Sequence, residues 1–363
     1  MSRSLRVAPE YINKVKSALP RNGYRSQQSL ATDSGLSLAT VKNFLSGKPI
    51  DRLNFEELSV KLGLNWQEIA DKETPTTKTE ALPFITGTPI TDPRQFFGRE
   101  KELKRLFNLL KRHPLQNAAI IGKKRSGKTS LLHYLKNITT TPPQQLRPHQ
   151  KSDWLPQPEQ YQWVFVDLQD ARMQSREGFL RYILEYLKIQ VPTPCDLDHF
   201  MDVVSDNLSS PTVILLDEIG VGLQRCPELD DTFWESLRSL ATNQTRGNLA
   251  FILATPESPI ELAQNTGHSS PFFNIFGYTA YLEALTEAEA RELIASSPIP
   301  FSEADVEWIL RTSKCWPLLL QIICSERLFS LEEGETDDSW QEEALRQIQP
   351  FYNLVIANEA LAQ

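Results

Sequence analysis

The 363-residue chain predicts an α/β protein: a parallel sheet with a helical lid after it and a small all-α unit ahead of it. Three observations carry that expectation. Between Phe96 and Leu285, short apolar runs alternate with amphipathic stretches, the pattern of a parallel sheet covered by helices on both faces. Beyond Leu285 the strand-like runs stop and only helical periodicity remains. Residues 8–71 show short helical patterns punctuated by Gly23, Gly35, Gly47 with Pro49, and Gly63.

Composition bounds the rest. With 40% apolar and 23% charged residues, the chain can build an ordinary core without disulfide or metal staples, and its length suits two or three domains. No apolar stretch approaches the ~20 residues of a membrane span. The opening MSRSLRVAPEYINKVKSALP lacks a signal-peptide pattern. Cys195, Cys226, Cys315 and Cys324 have neither CxxC spacing nor paired histidines, which argues against zinc and redox motifs and for a cytoplasmic location. Charge is uneven: residues 1–72 carry a net +4 within a chain of net −8. A basic head on an acidic body assigns any nucleic-acid contact to the head.

Taken in order, the helical patterns of the head are Tyr11–Ala18, Ser26–Asp33, Ser37–Leu45, Phe55–Leu62 and a stub at Trp66–Asp71, so residues 1–71 form the first domain. Residues 72–93, rich in Thr and Pro and without periodicity, read as a linker. The α/β core spans 94–285. Its expected strands are Asn117–Ile121, Gln162–Asp167, Thr212–Asp217, Leu249–Thr255 and Tyr278–Leu282. Its expected helices are Glu100–Lys111, Thr129–Asn137, Ser175–Lys188, Leu197–Leu208 and Thr232–Asn243. The Pro- and Gln-rich stretch 139–160 reads as an exposed insertion. Residues 286–363 form the helical lid, with helices at Glu287–Ala295, Glu303–Thr312, Pro317–Ser330 and Trp340–Ile356.

The chemistry enters after the first core strand. Gly122-Lys123-Lys124-Arg125-Ser126-Gly127-Lys128-Thr129 fits GxxxxGK[ST] at every fixed position, between an apolar strand and the helix that Ser130 continues. Such a loop turns successive backbone N–H groups toward a polyphosphate at a helix N-terminus. Lys128 then reaches the β- and γ-phosphates, and Thr129 gives its hydroxyl to Mg²⁺. The expected cofactors are therefore ATP and Mg²⁺. Val213-Ile214-Leu215-Leu216-Asp217-Glu218 is an apolar strand ending in two acids, and ligands of open α/β sheets sit beyond such strand ends. Asp217 is expected to position the metal and Glu218 to polarise an attacking water.

With these two motifs the stretch from about Phe96 to Leu331 resembles the AAA+ class of P-loop NTPases. Within that class it is similar to the STAND signalling group and the Orc/Cdc6-like ATPases. Phe97-Gly98-Arg99-Glu100-Lys101-Glu102-Leu103 resembles the segment that opens the family's core, which implies that Gly98 and Arg99 lie beside base and ribose. Ile252-Leu253-Ala254-Thr255 is similar to the sensor-1 strand, implying that Thr255 senses the γ-phosphate. Trp316-Pro317-Leu318-Leu319-Leu320-Gln321 resembles the lid segment whose proline, here Pro317, packs near adenine. Lys314-Cys315-Trp316 replaces the small residues usual before that proline. The resemblance also implies self-assembly and an arginine finger, with Arg238 and Arg246 as the candidates, and it leaves Arg311 as a possible sensor 2. STAND proteins usually carry a repeat array after the lid; here the sequence ends at Gln363.

In the head, Gln28 to Lys48 resembles a Cro/repressor-type helix-turn-helix. Ala31 lets two helices approach, Gly35 supplies a positive φ at the turn, and Ser37 caps the second helix. Leu30, Leu36, Val41 and Phe44 form its expected mini-core. Its residues nearest to DNA are expected to be Ser37, Thr40, Lys42, Asn43 and Lys48. Leu38 and Ala39 offer no hydrogen bonds to bases. Two classes of function stay open: an ATP-controlled, DNA-associated regulator of transcription, transposition or mobile-element defence, or a signalling adaptor whose head docks a protein.

Overall fold

The chain divides into two units, residues 1–81 and 82–363, each with its own core. The computed structural model describes residues 4–8, 11–70, 83–148, 150–335 and 337–356.

The first unit runs β1 (Ser4–Leu5), α1 (Ile12–Arg21), α2 (Gln27–Ser34), α3 (Leu38–Leu45), β2 (Ile50–Asp51), α4 (Arg52–Lys61) and α5 (Trp66–Ile69). Ser26 opens α2 with a reciprocal capping box to Ser29, and Ser37 opens α3 by accepting from the Thr40 N–H at 3.1 Å. Between them Gly35 ends α2 at φ 66°, a backbone state that Cβ-bearing residues disfavour. Leu30, Val41, Phe44, Phe55 and Leu58 are fully buried together, with Phe44 and Phe55 edge to face at 5.1 Å. The all-α expectation needs one correction. Ser4–Leu5 pairs antiparallel with Ile50–Asp51, and two residues per strand are too few to leave an alternating pattern.

The second unit carries α6 (Glu100–Leu110), β3 (Ala118–Ile121), α7 (Lys128–Ile138), β4 (Gln162–Asp167), α8 (Arg176–Tyr186), α9 (Leu197–Asn207), β5 (Thr212–Asp217), α10 (Ile219–Arg225), α11 (Asp231–Ser239), β6 (Leu249–Thr255), α12 (Pro259–Asn265) and β7 (Tyr278–Tyr281). The five strands are all parallel in the order β4-β5-β6-β3-β7. Every residue of β3, β5 and β6 is buried, as a sheet covered on both faces requires. Alternate side chains go to opposite faces. Ala118, Ile120, Val213, Leu215, Ala250 and Ile252 pack with α6 and α7, whereas Ala119, Ile214, Leu216, Phe251 and Leu253 pack with α8, α9 and α11. The α/β expectation and its helical C-terminal segment are borne out.

The lid is α13 (Glu287–Ile294), α14 (Glu303–Ser313), α15 (Pro317–Glu332) and α16 (Ser339–Ile356). Its core holds Leu319, Ile323, Ala344 and Ile348, and a buried Arg327–Asp305 ion pair at 3.0 Å lies under Trp340.

Two expectations from composition change. Residues 84–93, read as the end of the linker, pack onto the second unit. Phe84 is buried in the lid core, Ile90 rests on the sheet core, and Pro93 is buried. Residues 72–82 of that linker, and Asp71 before it, lie outside the described residues. The stretch 139–160 is likewise anchored: Trp154 and Leu155 are buried, and Trp154 stacks on Phe107 of α6 at 5.1 Å. Its polar composition hid two apolar anchors.

Candidate functional site

The order β4-β5-β6-β3-β7 fixes where a ligand goes. β3 leads into α7 on one face and β6 lies between β3 and β5, so the loops after β3, β5 and β6 converge beyond the carboxyl edge of the sheet. The Gly122 N–H donates to the Thr255 carbonyl at 3.2 Å, which pins the start of the glycine-rich loop to the end of β6. Only glycine fits there. A Cβ on Gly122 would stand 2.4 Å from Ser126 Oγ and 2.9 Å from the Leu282 carbonyl.

The loop and strand ends border a cavity of about 760 Å³. Lys124, Arg125, Ser126, Gly127, Lys128, Thr129 and Ser130 line one end, together with Asp167, Asp217 and Glu218. Lys128 Nζ donates to the carbonyls of Gly122 at 2.7 Å and Lys123 at 3.1 Å. Burial holds its ammonium below the usual lysine range, against the pull of Glu218 and Asp217. Thr129 Oγ1 donates to Asp217 Oδ2 at 2.7 Å and joins the two sequence motifs directly. Burial lifts the Asp217 carboxyl to about 6, with Glu218 and Asp167 adding to the rise and the Thr129 hydrogen bond opposing it.

Two atoms here lack partners. Asp217 Oδ1 and Ser126 Oγ are buried without a hydrogen bond among the described residues. Thr139, Ser297 and three tryptophan indoles also hold unpaired buried atoms, but none of those residues lines this cavity. Buried polar atoms are rarely left unpaired unless something else is to meet them. Backbone strain concentrates here too: Arg99 (φ 65°), Arg125 (φ 65°) and Glu218 (φ 52°) are left-handed residues on the cavity lining.

The other end of the cavity is apolar, formed by Ile85, Phe97, Leu285, Leu293, Pro317 and Leu318. Arg99 lies between the two ends with only 7% exposure. Its backbone N–H donates to Glu289 Oε1 at 2.7 Å and its guanidinium to the carbonyls of Glu283 and Ala284. A Cβ on Gly98 would press into the Glu289 side chain, at 2.6 Å from its carboxyl carbon. Lys314 and Cys315 both sit at positive φ, forming the turn that delivers Pro317 to the cavity. The departure from small residues before that proline is thus accommodated by backbone strain.

Several sequence-designated residues stand elsewhere. Thr255 is fully buried, donates its hydroxyl to the Glu257 carbonyl at 2.9 Å, and does not line the cavity; Pro256 and Glu257 do. Lys123 turns away, donating to the Val355 carbonyl of α16 at 3.1 Å with Trp316 beneath it at 5.6 Å. The Ser130 hydroxyl accepts from the Ile90 N–H at 3.0 Å, so it anchors residues 84–90. Arg238, Arg246 and Arg311 are off the lining. The arginine that does line it beside Arg99 and Arg125 is Arg225, at the end of α10. The sequence did not single it out, because α10 was not foreseen. Asp167 was missed as well. Its signal was available: it ends a strand in register with Asp217.

On the first unit, the Ser37 and Thr40 hydroxyls bond each other at 2.9 Å while Ser37 caps α3. Lys42 and Lys48 are exposed and Asn43 is half-buried. Lys61 pairs with Asp33 at 2.9 Å, and Arg52 pairs with Glu56 at 2.8 Å.

No protein-family model matches the sequence, and no curated protein does. Solved structures do match. The Walker-type ATPase of Pyrococcus abyssi superposes with a TM-score of 0.52 at 15% identity, over 73% of this chain and 75% of that one. The Aeropyrum pernix ORC2 protein, solved as ADPNP–ADP complexes, superposes with a TM-score of 0.54 at 12% identity, over 73% and 71%. No described helix is long and apolar enough to cross a membrane. At such identities the likeness concerns architecture alone: the α/β part of this chain, with its helical lid, shares the fold of these two proteins.

Proposed function

We propose that this protein is an ATP-binding, slowly hydrolysing AAA+/STAND-type switch that associates with DNA through its first unit and self-assembles with ATP. The observation that carries the nucleotide reading is the Thr129–Asp217 hydrogen bond beside the unpaired Asp217 Oδ1 and Ser126 Oγ. A triphosphate on the loop gives Lys128 a stronger acceptor than two backbone carbonyls. Mg²⁺ fits the donor set, hydroxyl plus carboxylate with one oxygen open, and when bound it supplies charge neutralisation at the β- and γ-phosphates. Thr129 and Asp217 would hold it. Glu218, next to Asp217 on the same lining, orients and polarises the attacking water. The base takes the apolar end, beside Arg99 and Pro317.

The arginine finger, Arg238 or Arg246, acts on this reading across a subunit boundary, since both are off the cavity of their own chain. DNA association is supported by the +4 charge of residues 1–72 and by exposed Lys42 and Lys48. A second reading, that the first unit docks a protein partner, is favoured by the Ser37–Thr40 pair, whose hydroxyls are already engaged with each other. A salt titration of DNA binding separates the two, because phosphate contacts release counterions.

The deciding experiment is equilibrium binding of ATP and ADP with Mg²⁺, on the native chain and on Lys128→Ala. The variant should lose affinity on the order of 100-fold, two tenfold steps of 1.4 kcal/mol, with unchanged thermal stability in the absence of nucleotide. Equal affinity in both proteins would overturn the nucleotide reading.

A further inference from the structure

A buried amide lines the cavity with a donor that no described residue uses. Gln321 lies one turn after Pro317 on α15, inside the run Leu318-Leu319-Leu320-Gln321-Ile322-Ile323, and is only 4% exposed. Its Oε1 accepts from the Ile85 N–H at 2.9 Å. That bond fixes the sense of the amide, because a backbone N–H can face only the carbonyl oxygen. The Nε2 group then presents two donors. It makes no hydrogen bond among the described residues, is not sealed off in the interior, and belongs to a side chain that lines the cavity.

We propose that Gln321 reads the nucleotide base, donating from Nε2 to a ring-nitrogen acceptor of adenine. The inference rests on the nucleotide reading above and assigns a residue for base recognition within it. The surroundings suit that role. Leu285, Leu293, Pro317 and Leu318 offer flat apolar contact but no hydrogen bonds from their side chains, so without Gln321 these walls leave the base edge unread. Oε1 is engaged by a neighbour that cannot turn over, so a ligand finds a preorganised donor rather than a freely rotating amide. The same side chain holds residues 84–90 in place. Ile85 is tied to Gln321, and five residues later Ile90 is tied to Ser130 Oγ on α7 at 3.0 Å. One short segment therefore spans from the reader of the base to the helix behind the phosphates.

The test uses the full chain with Mg²⁺ and four probes: ATP and its 1-deaza, 3-deaza and 7-deaza analogues, each lacking one ring acceptor. On the native protein, one of the three analogues should bind about tenfold more weakly than ATP, the size of one well-placed hydrogen bond. In Gln321→Met, which keeps the volume and removes the donor along with the acceptor of the Ile85 N–H, ATP should weaken by at least a similar factor and that analogue should lose its disadvantage. A purely structural role for Gln321 would lower all four affinities alike and preserve the analogue's penalty, which would overturn the proposal. The native protein alone also decides: three analogues within twofold of ATP would overturn it without any variant. Failure to bind any of the four would remove the nucleotide reading itself.

Discussion

The loop after β3 and the start of α3 are both helix N-termini preceded by short turns, yet they differ in what their polar atoms do. At α3, Ser37 accepts from the Thr40 N–H and the two hydroxyls bond each other, so the helix end is self-sufficient. At α7, Gly127 provides no side-chain cap, Ser126 Oγ is buried and unpaired, and Lys128 rests on the carbonyls of its own loop. Two helix starts in one chain thus show the difference between a capped end and an open one. On the nucleotide reading, this unfilled demand at α7 is what the ligand meets. At α3 the side chains not engaged in the cap, Lys42, Asn43 and Lys48, stand on a solvated surface where single charges contribute little.

The comparison is sharpened most by Glu218→Gln. If the open end exists for a triphosphate, the amide should still let ATP bind, since Glu218 makes no hydrogen bond to Thr129 or Lys128. Hydrolysis should fall by ~10²-fold or more, the usual scale for losing a general base. Single-turnover phosphate release measured beside equilibrium binding checks both. Loss of binding would place Glu218 among the groups that hold the ligand.

Asp217→Asn probes the strain of an open site. A carboxyl raised from 3.8 to about 6 in the folded chain binds its proton more tightly there than in the unfolded chain. Its ionisation therefore removes stability as pH rises from the unfolded value through the folded one, and at neutral pH that penalty is fully present. Asparagine should raise the melting temperature of the nucleotide-free protein, by roughly 2–4 °C per kcal/mol recovered, while abolishing the Mg²⁺ dependence of ATP binding. A melting temperature that falls would show that Asp217 is a structural member of the core.

How much of this was legible depended on how the information is written in the chain. β4, β5 and β6 are uninterrupted apolar runs with abrupt polar ends, and their bounds match expectation residue for residue. α10 was invisible because Gly220 and Gly222 depress its helical propensity; a Cβ at Gly222 would stand 3.0 Å from Leu168, so a close approach sets that residue. The phosphate end was readable because its spacing is local. The apolar end was reached only through the resemblance, at Arg99 and Pro317, since it is assembled from residues 85–99, 285–293 and 317–321. Gln321 left only a faint trace, one polar residue in a buried apolar run. Thr255 shows the opposite failure: its position at a strand end matched the resemblance, but its hydroxyl turns to Glu257.

At the capped end the expected effects are smaller. Lys42→Glu with Lys48→Glu should weaken association of the full chain with duplex DNA and flatten its dependence on salt by about two units of slope, one per lost phosphate contact. The pair is informative because both side chains are exposed, whereas Lys61 and Arg52 have carboxylate partners that would confuse the reading. DNA binding with an unaltered salt slope would exclude these two lysines from the interface. No DNA binding by the native chain would favour the protein-docking reading.

The smallest effect, and the one that most directly tests the contrast between the two helix starts, belongs to Ser37→Ala. Ser37 Oγ accepts from the Thr40 N–H at 3.1 Å and lies 2.9 Å from Thr40 Oγ1, so its loss uncovers an N–H at the helix end. The expected cost is about 1 kcal/mol, the usual value of an N-cap. It should appear as faster hydrogen exchange over α3 with the second unit unaffected, because the core of Val41, Phe44 and Phe55 that α3 helps to form lies within the first unit. If Ser37 acts as a cap and not as a DNA contact, DNA affinity measured at low temperature, where α3 stays folded, should not change beyond about twofold, under 0.5 kcal/mol. Ser37→Asp separates the roles further. Aspartate caps as well as serine, so the helix should be as stable as in the native chain. A carboxylate facing a phosphate backbone would, however, repel it. Native stability with weakened DNA binding would therefore put Ser37 within reach of phosphate and return it to the interface. Native stability with native DNA affinity would leave the α3 start as a capped end, with recognition resting on the two lysines and Asn43.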